Sequence, residues 1–249
     1  MTTLADLIHQ NYSKNPEKAA IILQHAGQDD KPVSYHDLVT GSARYARTYA
    51  EAGLQPGEVI ILILQHGEDL VYSFWGAILH GAIPAIMPFL TEKLSPERYR
   101  ADLAALLSVT QPTAIVTYPE FESDIRSAMT ADSSVRTVLL TSQLAPEIEP
   151  DFSQLRGLHC KPTDIVLLQH SSGTTGLQKG VALSHEAVLN QLNAYSQTLR
   201  IDPASDIIRT YDHPAWVNVD DRLGIVFRGT GETVYHNRHY FNPWWAVAD

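Results

Sequence analysis

Cysteine is almost absent. Cys160 stands alone among 249 residues, so no disulfide can form within the chain. That fits a reducing compartment, and a cytoplasmic location is the expectation. Basic residues are scarce as well: 18 Lys and Arg face 28 Asp and Glu, a formal net charge of −10. A chain this acidic lacks the broad basic face that holds nucleic acid. The N-terminus, MTTLADLIHQNYSKNPEK, has neither the cationic start nor the long apolar run of a secretory signal. Apolar residues are not lacking: at 44% they suffice for a sizeable core and exclude disorder of the whole chain.

Charge is missing altogether from one stretch. Leu70 to Leu90 reads LVYSFWGAILHGAIPAIMPFL, without Asp, Glu, Lys or Arg. A spanning helix needs about 20 such residues. Gly81, Pro84 and Pro88 would break it at bilayer depth and leave backbone groups unpaired. The expectation is therefore no membrane span, but a buried helix, a turn at His80–Gly81 and a buried strand.

Elsewhere helix and strand signals alternate. Leu4, Leu7, Ile8 and Tyr12 recur at helical spacing over 3–13. Ala19–Gln24 is a short apolar run that reads as a strand. Ser34, with Asp37 three residues on, opens a helix over about 35–51 that stops at Gly53. Val59–Leu64 (VIILIL) has the pattern of a strand buried on both faces. Glu68–His80 reads as helix and Ala82–Met87 as strand. Ser95–Pro96 opens a helix carrying Tyr99, Leu103, Leu106 and Leu107 on one face. Strands follow at Thr113–Thr117 and Val135–Leu140, with a helix at Phe121–Met129 between them. A looser connection with Pro146, Pro150 and Pro162 spans about 142–163. The alternation predicts an α/β fold with a largely parallel sheet flanked by helices.

The chemistry gathers after the apolar run Asp164–Gln169. There the chain reads His170-Ser171-Ser172-Gly173-Thr174-Thr175-Gly176-Leu177-Gln178-Lys179-Gly180-Val181, and a helix begins near Ser184. Such a loop suits phosphate. Glycines let backbone N–H groups close around an anion, hydroxyls of Ser and Thr donate to phosphate oxygens or ligate a metal, and Lys179 adds a compact cation. It is not a Walker A loop, because no glycine directly precedes Lys179 and no Ser or Thr directly follows it. The bland reading of the same text is a flexible linker.

The longer pattern SSGTTGxxKG, between a buried strand and V-x-L-S-H with its helix, resembles the phosphate-loop motif of the adenylate-forming superfamily. That superfamily comprises acyl-CoA synthetases, adenylation domains of peptide synthetases, and luciferases. Tyr35-His36-Asp37-Leu38 resembles its early Y-x-x-L. Gly53-Leu54-Gln55-Pro56-Gly57-Glu58 resembles its G-L-x-P-G-D strand entry. Phe74-Trp75-Gly76 and Gly81-Ala82-Ile83-Pro84 resemble its F-x-G and G-A-x-x segments. The resemblance covers about residues 4–206, in the family's order. Gln178 stands where the family usually has proline, while Lys179 keeps its place.

Beyond Asp206 the text changes character. Residues 207–249 hold Trp216, Trp244 and Trp245, three of the four tryptophans, and a single leucine, Leu223. The family's Y-G-x-T-E motif and its lysine-bearing C-terminal domain are not found in these 249 residues. Trp216–Asp220 alternates, and Leu223–Phe227 and Thr233–Phe241 flank Gly229-Thr230-Gly231, which reads as a β-hairpin. The expected division is a partial AMP-binding N-terminal domain over 4–206 and a tail unlike the family over 207–249. The tail has three readings: a truncated gene fused near 207, a fragment of a larger protein, or a divergent member with its own ending. His236 and His239 on one strand would point to opposite faces, so with His213 they read as surface histidines rather than metal ligands. Asp220–Asp221 reads as a turn, and Cys160 as a bystander.

The resemblance implies a reaction. A carboxylate attacks the α-phosphate of ATP, pyrophosphate leaves, and the acyl group passes to a thiol of CoA or of a phosphopantetheine carrier. It implies that Ser171, Ser172, Gly173, Thr174, Thr175, Gly176, Lys179 and Gly180 hold the phosphates, with Mg2+ met by Thr174 or Thr175. The metal's family carboxylate ligand would sit in the Y-G-x-T-E motif, and the family's catalytic lysine is likewise unmatched. The leading expectation is an acyl-CoA synthetase-type ligase of fatty or other acyl acids, present as a fragment and inactive alone. One alternative is an acyl-AMP ligase or adenylation module that loads an acyl carrier protein. The other is a non-catalytic remnant or binding module.

Overall fold

The computed structural model describes residues 2–24, 29–87, 95–170, 180–200, 217–219 and 222–224. Its centre is a four-stranded parallel sheet in the order β4-β3-β5-β6, built from β3 (Val59–Ile63), β4 (Ile83–Ile86), β5 (Ala114–Thr117) and β6 (Thr137–Leu140). The central strand β3 shows why VIILI folds this way. Ile60 and Leu62 face one core, and Ile61 and Ile63 face another, all fully buried. Side chains alternate along a strand, so both faces must be apolar when helices cover both. Pro84, which lacks an N–H, sits on β4, the edge strand of this sheet.

α2 (Tyr35–Glu51) and α3 (Glu68–His80) cover the Ile60 face, with Leu38, Val39, Tyr45, Tyr49, Phe74 and Trp75 buried there. α4 (Pro96–Thr110) and α5 (Glu122–Ala128) cover the other face through Tyr99, Leu103, Leu106, Leu107 and Ile125. The caps fall where the sequence puts them. The Ser34 side chain accepts from the Asp37 N–H and the Asp37 side chain reaches back, a capping box. Ser95 caps α4 with Pro96 at its first position. α1 (Leu4–Lys14) opens on a second capping box, Thr3 with Asp6.

Within the charge-free stretch, residues 70–87 form the expected helix, turn and strand. α3 ends at His80, Gly81 takes the left-handed conformation at φ +89°, and β4 follows. Among the described residues no helix is long and apolar enough to cross a membrane. His80 is buried, and its Nε2 lies 3.1 Å from the Leu54 carbonyl oxygen.

Three features differ from the sequence reading. β1 (Ala19–Leu23) is not a lone strand: it pairs antiparallel with β2 (Lys31–Ser34), whose short KPVS text carries no strand signal. The connection over 142–163 is tied down rather than loose. It makes 3-10 turns at Thr141–Gln143, Phe152–Gln154 and Arg156–His159. Arg44 Nε donates to the Ala145 carbonyl at 2.6 Å, and the Ala145 N–H donates to Thr48 Oγ1 at 3.0 Å. Third, a strand separates the glycine-rich loop from the helix after it. β7 (Ile165–His170) turns back antiparallel into β8 (Gly180–Ser184), and only then does α6 (His185–Leu199) begin.

Of the tail, β9 (Val217–Val219) pairs antiparallel with β10 (Arg222–Gly224). The hairpin read around Gly229-Thr230-Gly231 lies outside the described residues. So do Trp216, Trp244, Trp245, His213, His236, His239, Asp220 and Asp221.

Candidate phosphate-binding hairpin

The site is built on β7. Val166 and Leu167 are buried in the α2–α3 core and Leu168 packs against the opposite core, which fixes the strand beside β4. β8 returns in a defined register, from Gly180 opposite His170 to Ser184 opposite Ile165. The His170–Gly180 pair therefore closes the base of the loop. Ser171, Ser172, Gly173, Thr174, Thr175, Gly176 and Lys179 fall within 171–179, outside the described residues. Gly180 is the first residue of β8 and is exposed.

The added strand changes how an anion could be held. In many phosphate sites the loop leads straight into a helix whose free N–H groups point at the ligand. Here a five-residue strand intervenes, a span of about 14 Å, so α6 begins at the far end of the hairpin. Its first donors are already engaged. The His185 N–H donates to the Asp164 carbonyl at 3.2 Å, and the Glu186 N–H to the Pro162 carbonyl at 2.9 Å. The Ala187 N–H donates to Ser184 Oγ at 3.2 Å. The first three N–H groups of α6 are therefore not free to hold an anion.

The S-H of V-x-L-S-H now has a structural meaning that the sequence reading missed. Ser184 caps α6, and the His185 side chain is buried, with Nδ1 accepting the Leu4 N–H of α1 at 3.1 Å. Burial lowers the His185 pKa below the usual value. The missed signal was a histidine directly after the serine near which the helix was read to begin.

A second polar group lies at the carboxyl ends of β3 and β5. Tyr45 Oη donates to Asp69 Oδ1 at 2.7 Å, and the Tyr118 side chain also bonds Asp69. Burial and the Asp69 charge push both phenols well above their usual pKa, so they stay protonated as donors. Cys160 is half-buried, and burial raises its thiol pKa, which suits a bystander. Among the described residues no group of three or more His, Cys, Asp or Glu could hold a metal ion.

The sequence model of the AMP-binding enzyme family matches residues 8–222, and the chain belongs to that family. The match takes in the α/β body, the β7–β8 hairpin and β9, and it runs past position 206. The chain is 26% identical over 193 residues to a 4-coumarate–CoA ligase of Humulus lupulus, an alignment covering 74% of this chain and 33% of that enzyme. It is 27% identical over 194 residues to tyrocidine synthase 3 of Brevibacillus parabrevis, covering 76% of this chain and 3% of the synthase. The fold is similar to that of a fatty acyl-adenylate ligase from L. pneumophila, solved with acyl adenylate and pyrophosphate. The TM-score is 0.66 at 17% identity, covering 91% of this chain and 39% of that one. The chain thus spans about a third of the length of the 4-coumarate–CoA ligase it matches.

Proposed function

We propose that this chain carries the triphosphate-binding part of an AMP-forming ligase, one that activates a carboxylic acid with ATP and passes the acyl group to a thiol. The observation that carries the reading is the hairpin within the family match: β7 and β8 are locked in register around Ser171–Lys179. ATP enters as its Mg2+ complex. The acid's carboxylate oxygen attacks the α-phosphorus, the bond to the bridging oxygen breaks, and pyrophosphate leaves with the electron pair. The catalytic demand is to bring two anions together and to stabilise charge on the leaving group. Backbone N–H groups of Ser171–Gly176, the Thr174 and Thr175 hydroxyls and Lys179 supply that stabilisation, with Gly180 anchoring the loop's end. Thr174 or Thr175 would offer its hydroxyl to Mg2+, which would supply further neutralisation of the leaving charge.

The substrate in this reading is a fatty or other acyl acid and the acceptor is CoA, with the protein working in the cytoplasm in fatty acid metabolism. A carrier-borne phosphopantetheine is the second acceptor, favoured by the match to a peptide synthetase. Residues 4–206 are proposed as the AMP-binding portion and 207–249 as a tail, with the family match itself reaching residue 222. In this reading turnover also needs the Y-G-x-T-E carboxylate and the family's lysine-bearing domain, neither matched in these 249 residues, and the triphosphate grip is proposed to be inactive without them.

ATP–pyrophosphate exchange tests this. Little or no exchange is expected with any carboxylic acid for the 249-residue chain. Robust acid-dependent exchange would overturn the inactive-alone reading. ATP binding that is indifferent to the loop would overturn the triphosphate grip.

A further inference from the structure

We propose that His185 is an acid-released latch that holds the first turn of α1 against the start of α6. The first four N–H groups of a helix have no partner inside it. In α1 the Thr3 side chain serves Asp6, and the Leu4 N–H is served across the fold by His185 Nδ1 at 3.1 Å. The bond is buried: His185 is 2% exposed and Leu4 3%. It joins positions 181 residues apart and ties the N-terminal helix to the end of the β7–β8 hairpin.

Only an unprotonated Nδ1 can accept, so the latch requires a neutral imidazole with its proton on Nε2. Protonation sets one N–H against another and removes the acceptor. The ring also lies at the amino ends of both α1 and α6, where helix dipoles disfavour a cation. Two carboxylates favour the cation: Asp6 from α1 and Asp164 from the segment before β7. Both are already engaged, Asp6 by the Thr3 N–H at 2.8 Å and Asp164 by the Lys161 N–H at 2.7 Å. Glu186 follows His185 on α6, in its first turn.

Burial outweighs the carboxylates, and the folded-state pKa lies below the ordinary 6.5. The sign follows. Above about pH 6.5 the ring is neutral folded or unfolded, and the latch contributes fully. As pH falls through the lowered folded-state value, the ring takes a proton and the first turn of α1 separates from α6.

The test uses the full chain. The His185 ring is followed by its imidazole nitrogen shifts, and the Leu4 amide by hydrogen exchange corrected for the intrinsic pH effect. In wild type, Leu4 protection falls by up to about tenfold per pH unit from about pH 6.5 down to the folded-state His185 midpoint and levels off below it, while Ile61 in the central strand stays protected. In His185→Gln, whose amide oxygen can accept but does not titrate, Leu4 protection stays flat. An equal fall in both proteins would overturn the proposal. So would a titrating His185 with unchanged Leu4 protection, or a ring that stays neutral until the whole molecule unfolds. If the variant does not fold, the wild-type co-titration of ring and amide decides alone.

Discussion

Gly76 of α3 sits so close to Tyr45 of α2 that a Cβ added at Gly76 would lie 2.5 Å from the Tyr45 Cβ and 2.7 Å from the Ser42 carbonyl oxygen. Gly41 of α2 receives the Tyr72 ring of α3 with equal intimacy, at 2.7 Å from an added Cβ. Each helix thus contributes a glycine that lets the pair close over the Ile60 face of the sheet.

Gly76→Ala should therefore destabilise the fold despite alanine's better helix propensity. The propensity gain is about 1 kcal/mol, and overpacking against backbone costs up to about 3. A net loss of about 2 kcal/mol is expected in urea unfolding. A variant as stable as wild type would show that α2 and α3 are less closely packed.

Tyr45→Phe keeps the ring but removes the donor to Asp69. A hydrogen bond to a charged group in a part-buried setting is worth about 1.5–3 kcal/mol. The expected loss is near the lower figure, because Tyr118 still bonds Asp69. Urea midpoints for Tyr45→Phe, Tyr118→Phe and the double variant should be non-additive, since both phenols serve one carboxylate.

The strand text was readable where burial dictated it. VIILI needs apolar residues on both faces, and α3 shows its stop in His80–Gly81. β2 was not readable, because KPVS is four residues with a proline and pairs along a hairpin instead of entering the parallel sheet. β8 was hidden for a related reason. Gly180, Val181 and Ala182 are exposed, so GVALS carries no core pattern, and its strand character comes from pairing with β7. The phosphate reading of the loop came from its glycines, hydroxyls and Lys179, and residues 171–179 lie outside the described residues. The acceptors that engage the first N–H groups of α6 were not legible, because Asp164 and Pro162 act through backbone carbonyls, which leave no mark in side-chain identity.

His80 gives a pH prediction of its own. Burial lowers its pKa below 6.5, outweighing the bond to Leu54. The unfolded chain therefore binds the proton more readily, and stability falls as pH drops from about 6.5 through the folded-state value. His80→Gln keeps a donor for the Leu54 carbonyl without titrating. Its urea midpoint should change less than wild type's between pH 7.0 and 5.0, and identical slopes would exclude His80 as a source.

Lys179→Ala should weaken MgATP binding by roughly ten- to a hundredfold, the equivalent of losing one charge-assisted hydrogen bond to phosphate. Gly176→Val should do comparable harm by blocking the approach of the loop backbone. Calorimetric titration of wild type and both variants separates a phosphate grip from a linker. Equal affinity in wild type and Lys179→Ala would make the loop a linker. Where the 249 residues bind no nucleotide, the same substitution belongs in a full-length relative.

The bond from Leu4 to His185 also bears on synthesis. Its two partners are 181 residues apart, and a ribosome adding about 5–20 residues per second needs about 10–40 s between them. Throughout that interval the opening turn of the first helix exists without its acceptor. The N-terminal helix of the nascent chain is thus made early and secured late. A translational pause before residue 185 would prolong the exposure of Leu4 to whatever chaperone or protease waits at the tunnel exit.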